Sequence, residues 1–242
     1  MRSIKLFCFP YAGGSAAVYK NWQKHLSPNI EIVPVELKGR GRRISEPLYK
    51  NVDDLVDDLF PLIQKECQRN YYAFFGHSMG AMIAYELSLR INQSPVALPI
   101  RLFLSGRGAP HIASSKNYHL LDDEAFKAEI LNLGGTPPEF FEHQELIDIF
   151  LPVLKNDFKL VETSGREEIM PLNAPITSFF GEDEDLTTEQ KEGWEYYTEK
   201  KFKKYVYQGG HFFIKEHYKT IIDILNKQLQ EDLESLNNSM WL

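Results

Sequence analysis

Residues 71–90 read YYAFFGHSMGAMIAYELSLR, and how they are read decides the fold. The stretch opens as a short apolar run, passes through Gly76-His77-Ser78-Met79-Gly80, and continues with the apolar spacing of a helix. Glycine has no Cβ, so it lets backbone or helix come close where another side chain would collide. The GxSxG pattern alone is weak, since at residue usages of about 7% it arises by chance in roughly one chain in ten of this length. Its context gives it weight. Strand, sharp turn and helix in immediate succession lift a serine to the head of the helix, whose first amides favour an anionic oxygen. Ser78 is the candidate nucleophile.

Working outward, short strand patterns occur at residues 4–9 (IKLFCF), 30–35 (IEIVPV), 100–104 (IRLFL), 176–180 (ITSFF) and 202–207, with helical periodicity between them. Strands alternating with helices predict a mostly parallel sheet covered on both faces, an α/β domain. In residues 51–68, Val52, Leu55, Val56, Leu59, Phe60 and Ile63 form a core-facing stripe with Asn51 or Asp53 available as cap. Pro61 falls inside that stripe and predicts a kink or a junction of two short helices. No repeat, low-complexity run or Gly/Ser linker interrupts the chain, so residues 1–242 read as a single domain.

One connection is too long for a simple crossover, which needs on the order of 12 residues. Residues 105–175 contain two helical patterns, LLDDEAFKAEILNLGG and HQELIDIFLPVLKNDFKLV, with GGTPP at 134–138 as the turn between them. We expect a helical insertion at 108–170. It would lie over the C-terminal edge of the sheet, where such sheets place their ligands, and act as a lid.

A serine hydroxyl needs a base to accept its proton. Of the seven histidines, His211 alone lies in a loop after the last strand pattern, in VYQGGHFFIKEH, with Gly209 and Gly210 leaving room beside it. His77 is expected to line the turn itself, and His217 to face solvent from the following helix. An acid then orients the base, and in a fold of this kind the chain order is serine, acid, histidine. The loop Gly181–Thr187 (GEDEDLT) offers Asp183, Glu184 and Asp185. Asp185 is expected, as the acid that precedes Leu186 at the apex of the loop, with Glu184 and Asp183 as alternatives. An oxyanion hole needs two backbone N–H groups: that of Met79, after the nucleophile, and one from the glycine-containing loop CFPYAGGS, at Tyr11 or Ala12.

Bulk properties exclude several functions. The chain is 43% hydrophobic and 25% charged, with a formal net charge of −7, which argues against nonspecific binding to nucleic acid or to an anionic membrane. No stretch approaches the roughly 20 apolar residues of a bilayer span, and the run before Pro10 is too short for a signal peptide. The two cysteines, Cys8 and Cys67, imply no disulfide framework, so a cytoplasmic location is expected. The histidines lack ligand spacing, there is no CxxC, and AGGS is not a phosphate-binding loop, so no metal and no cofactor are expected. The basic runs KGRGRR (38–43) and KKFKK (200–204) read as solvated faces, with docking of an acidic partner as the alternative. A monomer is expected.

Taken together, CFPYAGGS, KGRGRRISEP, GHSMGAMIAYEL, LGGTPPE and QGGHFF resemble the type II (external, editing) thioesterases that accompany nonribosomal peptide and polyketide synthases. These are related to the medium-chain acyl thioester hydrolases of fatty acid synthesis. The resemblance runs in the family's order across nearly the whole chain. It implies an α/β-hydrolase fold with a flexible helical lid. It also implies hydrolysis of acyl or aminoacyl groups from the phosphopantetheine arm of acyl or peptidyl carrier domains, which restores misprimed or stalled synthases. Ser78 then matches the nucleophile, His211 the base, and Ala12 the second oxyanion amide. The family acid commonly falls three residues after the strand-ending glycine, which by count is Glu184; matching an acid followed by an apolar residue gives Asp185. Lys38 stands where the family usually has proline before GRG. A free-standing carboxylesterase or acyl-CoA thioesterase would share these catalytic residues, and a non-enzymatic relative would keep the cleft for binding only.

Overall fold

The computed structural model describes residues 3–67, 70–112, 117–135 and 138–239. Six strands, β1 (Ile4–Phe9), β2 (Ile30–Pro34), β3 (Tyr71–His77), β4 (Leu102–Ser105), β5 (Ile176–Gly181) and β6 (Phe202–Tyr207), form one sheet in the order β2-β1-β3-β4-β5-β6. Every neighbouring pair is parallel. The inner strands β3, β4 and β5 are buried on both faces because both are covered, whereas the edge strands β2 and β6 are partly exposed. Along β1, Phe7 and Phe9 enter one core while Ile4, Leu6 and Cys8 enter the other.

The first core packs the sheet against α1 (Val52–Cys67) and α2 (Met79–Asn92); the second packs it against α6 (Phe213–Ser239). Asn51 caps α1 by accepting the N–H of Asp54 at 2.9 Å. α1 is a single helix that runs through Pro61, so of the two expected outcomes the junction of two short helices is not made. A proline in a helix interior costs about 3 kcal/mol, whereas burial of Leu55, Val56, Leu59 and Ile63 contributes about 1.5–3 kcal/mol each, so packing outweighs the lost hydrogen bond. Pro61 itself points to solvent.

Between Ser105 and Ile176 the chain builds α3 (Asp123–Leu133) and α4 (Gln144–Glu162) around a small core of Phe126, Ile130, Ile147, Leu151 and Leu154. α3 starts at a side-chain cap, Asp122, and ends at Gly134, which has φ +74°. Thr136 and Pro137 of the expected GGTPP turn lie outside the described residues. A short helix, α5 (Thr188–Glu192), follows β5 behind a Thr187/Gln190 capping box.

The basic run at 38–43 departs from a solvated face. Arg40 is buried, and Arg43 pairs with Glu46 and Asp58. Lys38 donates its N–H to the Tyr49 hydroxyl and brings its ammonium to Asp58, a role that proline could not fill.

Candidate active site

The turn after β3 is strained at one residue. Ser78 has φ +55°, in the left-handed region, and no other non-glycine among the described residues does. Both flanking glycines are required by close approach. A Cβ on Gly76 would sit 2.0 Å from the carbonyl of Gly80, and one on Gly80 would sit 2.1 Å from the carbonyl oxygen of Phe9. The Ser78 N–H is anchored to Ser105 O at 2.7 Å, which places the serine at the N-terminus of α2 and at the C-terminal end of β4.

His211 lies in the loop after β6, and its Nδ1 is 2.6 Å from Oε1 of Glu184. Here the structure departs from the expected acid. Glu184, not Asp185, meets the imidazole; Glu184 is buried, while Asp183 and Asp185 are exposed at the rim of the same cavity. The reason is local geometry. The second oxygen, Oε2, accepts the N–H of Gly181 at 2.7 Å, so the side chain folds back on its own loop with one oxygen left for the histidine. The loop is pressed onto the histidine loop, since a Cβ on Gly181 would lie 2.5 Å from the carbonyl oxygens of Gly209 and Gly210. A carboxylate at Nδ1 favours the tautomer that carries the proton there and leaves the lone pair on Nε2.

Two cavities meet at Ser78 and His211. One, of about 260 Å³, is walled by Ile130, Leu133, Phe140, Phe150, Leu154 and Phe158 of the insertion and floored by the early loop, Tyr11 to Gly14. The other, of about 480 Å³, is more polar and runs between Arg107, Glu162 and the acidic loop. No hydrogen bond joins Ser78 to His211 among the described residues; such contacts commonly tighten only when substrate is bound.

The early loop is a turn closed by Gly14 N–H on Tyr11 O at 2.8 Å, with Gly13 at φ +73°. Its amides are mostly taken: Gly13 donates to Asp157 and Ala16 to Glu36. Neither Ala12 N–H nor Met79 N–H has a partner among the described residues, as two oxyanion donors awaiting a ligand would require.

His77 is fully buried beneath the site, with Nδ1 2.9 Å from Ser105 Oγ and its ring centroid 5.0 Å from that of His211. Burial, and then the nearby His211, hold its pKa well below the usual imidazole value, so it is neutral. Among the described residues no three His, Cys, Asp or Glu side chains gather as metal ligands would, and no helix is long and apolar enough to cross a membrane.

Residues 4–229 match the Thioesterase domain family. The chain belongs to that family. It is thus a hydrolase of thioesters. This thioesterase is 37% identical to the gramicidin S biosynthesis protein GrsT of Aneurinibacillus migulanus over 94% of the chain and 89% of that protein. It is 33% identical to thioesterase PikA5 of Streptomyces venezuelae over 94% of the chain and 81% of that protein. Its fold superposes on the crystal structure of ClbQ from the colibactin NRPS/PKS pathway with a TM-score of 0.89, at 37% identity, covering 96% of this chain and 99% of that one. The family's α/β-hydrolase fold is the one described above, with the sheet order and serine turn that the fold requires.

Two partners in the thioesterase site escaped the sequence reading: Arg40, hidden in a charged run, and Asp157, which meets it from α4. A signal for Asp157 existed. It continues the buried stripe of Ile147, Leu151 and Leu154, where a carboxylate without a partner would be costly.

Proposed function

We propose that this thioesterase is of the external, editing kind, removing acyl or aminoacyl groups from the phosphopantetheine arm of carrier domains in a nonribosomal peptide or polyketide synthase. The observation that carries this reading is the pair of unlike cavities meeting at Ser78 and His211. An acyl chain suits the apolar one under the insertion, and the polar pantetheine arm suits the larger one. The relatives named for gramicidin S and colibactin assembly support the same assignment. The insertion serves as the lid over the acyl chain.

In this mechanism Nε2 of His211 takes the Ser78 proton as Oγ attacks the thioester carbonyl. The oxyanion is held by the N–H groups of Met79 and Ala12, and the positive end of α2 adds to the field. Glu184 holds the imidazole in the right tautomer and stabilises the imidazolium. Collapse breaks the C–S bond. The departing sulfur receives the proton from His211, and a thiol of pKa about 8.5 is a good leaving group. Water, deprotonated by His211, then releases the acid and regenerates Ser78. Two free thiols, Cys8 and Cys67, suit a reducing cytoplasm.

The test is hydrolysis of acetyl-, aminoacyl- and decanoyl-loaded carrier domains by wild type and Ser78→Ala. Wild type should release the acyl groups and the variant should not. Cleavage of small oxygen esters at rates equal to or above those of the loaded carriers would point instead to a carboxylesterase.

A further inference from the structure

A buried ion pair ties the insertion to the turn that carries Ala12. Asp157, on α4, is fully buried, and Arg40, in the loop after β2, is 7% exposed. The guanidinium grips the carboxylate bidentately, Nη1 to Oδ2 at 2.6 Å and Nη2 to Oδ1 at 2.7 Å, and also donates to Gly14 O and Lys38 O. Oδ2 accepts a further bond, from Gly13 N–H at 2.8 Å. Arg40 and Asp157 thus hold the turn from both sides, by the carbonyl of Gly14 and the amide of Gly13.

Stability is weak ground for keeping this arrangement. Replacing a buried ion pair with well-packed apolar side chains is often neutral or stabilising, and apolar residues surround Asp157 on its own helix. Geometry does account for it. Gly13 sits in the left-handed region, and its peptide could rotate were its N–H not held. The adjoining amide, Ala12 N–H, is one that no group in the protein uses among the described residues.

We propose that Asp157, held by Arg40, is a positioning residue for the oxyanion turn: it fixes the Gly13 peptide, and so aims Ala12 N–H, only while α4 is seated on the site. This rests on the hydrolytic reading above, with Ala12 as a donor.

The experiment compares wild type, Asp157→Asn and the double variant Arg40→Met/Asp157→Leu on the hexanoyl thioester of N-acetylcysteamine. The double variant should fold, with kcat lower by about 10–100-fold and KM within about twofold, as expected for a misaimed oxyanion donor. Its pH profile should match wild type, because His211 and Glu184 are untouched. Asp157→Asn, which keeps an acceptor for Gly13 N–H, should retain more of kcat than the double variant. A folded double variant with wild-type kcat, or one whose loss lies in KM, would overturn the proposal. Hydrogen exchange on wild type gives a second measurement that needs no variant: the Gly13 amide should exchange in the same opening event as the amides of α4. Free exchange at Gly13 while α4 stays protected would also overturn it. Ser78→Ala separates the two levels. If it turns over normally, the hydrolytic reading fails; if it is inactive and the double variant is not impaired, only the positioning role fails.

Discussion

His211 and Glu184 are joined by a 2.6 Å hydrogen bond between Nδ1 and Oε1, and the second oxygen of the same carboxylate is held by the Gly181 amide at 2.7 Å. The imidazole is therefore oriented by a group that is itself immobilised. Glu184→Gln keeps the shape but offers the histidine an amide, which permits the wrong tautomer. We expect kcat to fall by about 10³–10⁴-fold. Asp183→Asn and Asp185→Asn, at exposed positions, should stay within about threefold. Steady-state kinetics on the three variants checks the assignment, and equal losses would refute it.

Strain at Ser78 should be visible as stability. A side chain at φ +55° costs about 1 kcal/mol or more, a cost glycine escapes. Ser78→Gly should therefore melt about 2–4 °C above wild type while being inactive, whereas Ser78→Ala, which keeps its Cβ, should not gain this. Differential scanning calorimetry distinguishes them. A Ser78→Gly variant that melts lower than Ser78→Ala would show that the turn is not strained.

Acid sensitivity should trace to His77. The folded protein holds it neutral, whereas the unfolded chain binds a proton below about pH 6.5. The unfolded state then carries more protons, so stability is full above about pH 6.5 and declines as pH falls, by up to about 1.4 kcal/mol per pH unit. Asp58, whose carboxyl is held below its ordinary range by Arg43 and Tyr49 against the cost of burial, acts only at lower pH. Thermal melts between pH 7 and 5.5 should show a drop in wild type that His77→Gln flattens. An unchanged slope in the variant would remove His77 as the cause.

The apolar cavity should set acyl length. Phe150 closes it, tilted against Phe140 with ring centroids 4.7 Å apart, and lies so near the early turn that a Cβ on Gly13 would come within 2.7 Å of it. Phe150→Ala should shift kcat/KM toward longer chains by about tenfold, in keeping with about 1–3 kcal/mol per methylene in an apolar pocket. Competition among acetyl-, hexanoyl- and decanoyl-loaded carriers measures it. The same preference in both proteins would place the acyl chain elsewhere.

The inner strands and the long helices were legible because burial on both faces leaves mostly apolar runs, and burial on one face leaves a 3.6-residue stripe. The serine turn was legible because backbone crowding allows only glycine at 76 and 80. The acid was not, by residue type: three successive carboxylates differ in burial and reach, which composition does not show. Counting back to Gly181 was the available signal, and the structure explains it, since Glu184 bonds the amide of that glycine. Arg40 looked like surface charge because its partner, Asp157, lies 117 residues away in sequence. At Pro61 the helix break that a local rule allows is not made, because packing that local sequence does not report outweighs it.

The two ends of the insertion are stapled together. Arg166 N–H donates to Pro110 O at 3.3 Å, and the Arg166 side chain is clamped to Glu86 of α2 through bonds of 2.8 and 2.5 Å. A detour whose two ends meet before the chain crosses to the start of β5 is modular, so chimaeras that exchange the whole cover between relatives must match this junction and the face that α4 lays on the early loop. One condition limits the exchange: the incoming helix must bring a carboxylate to the place of Asp157, because Arg40 stranded alone would be an uncompensated buried cation, at a cost of about 3–5 kcal/mol.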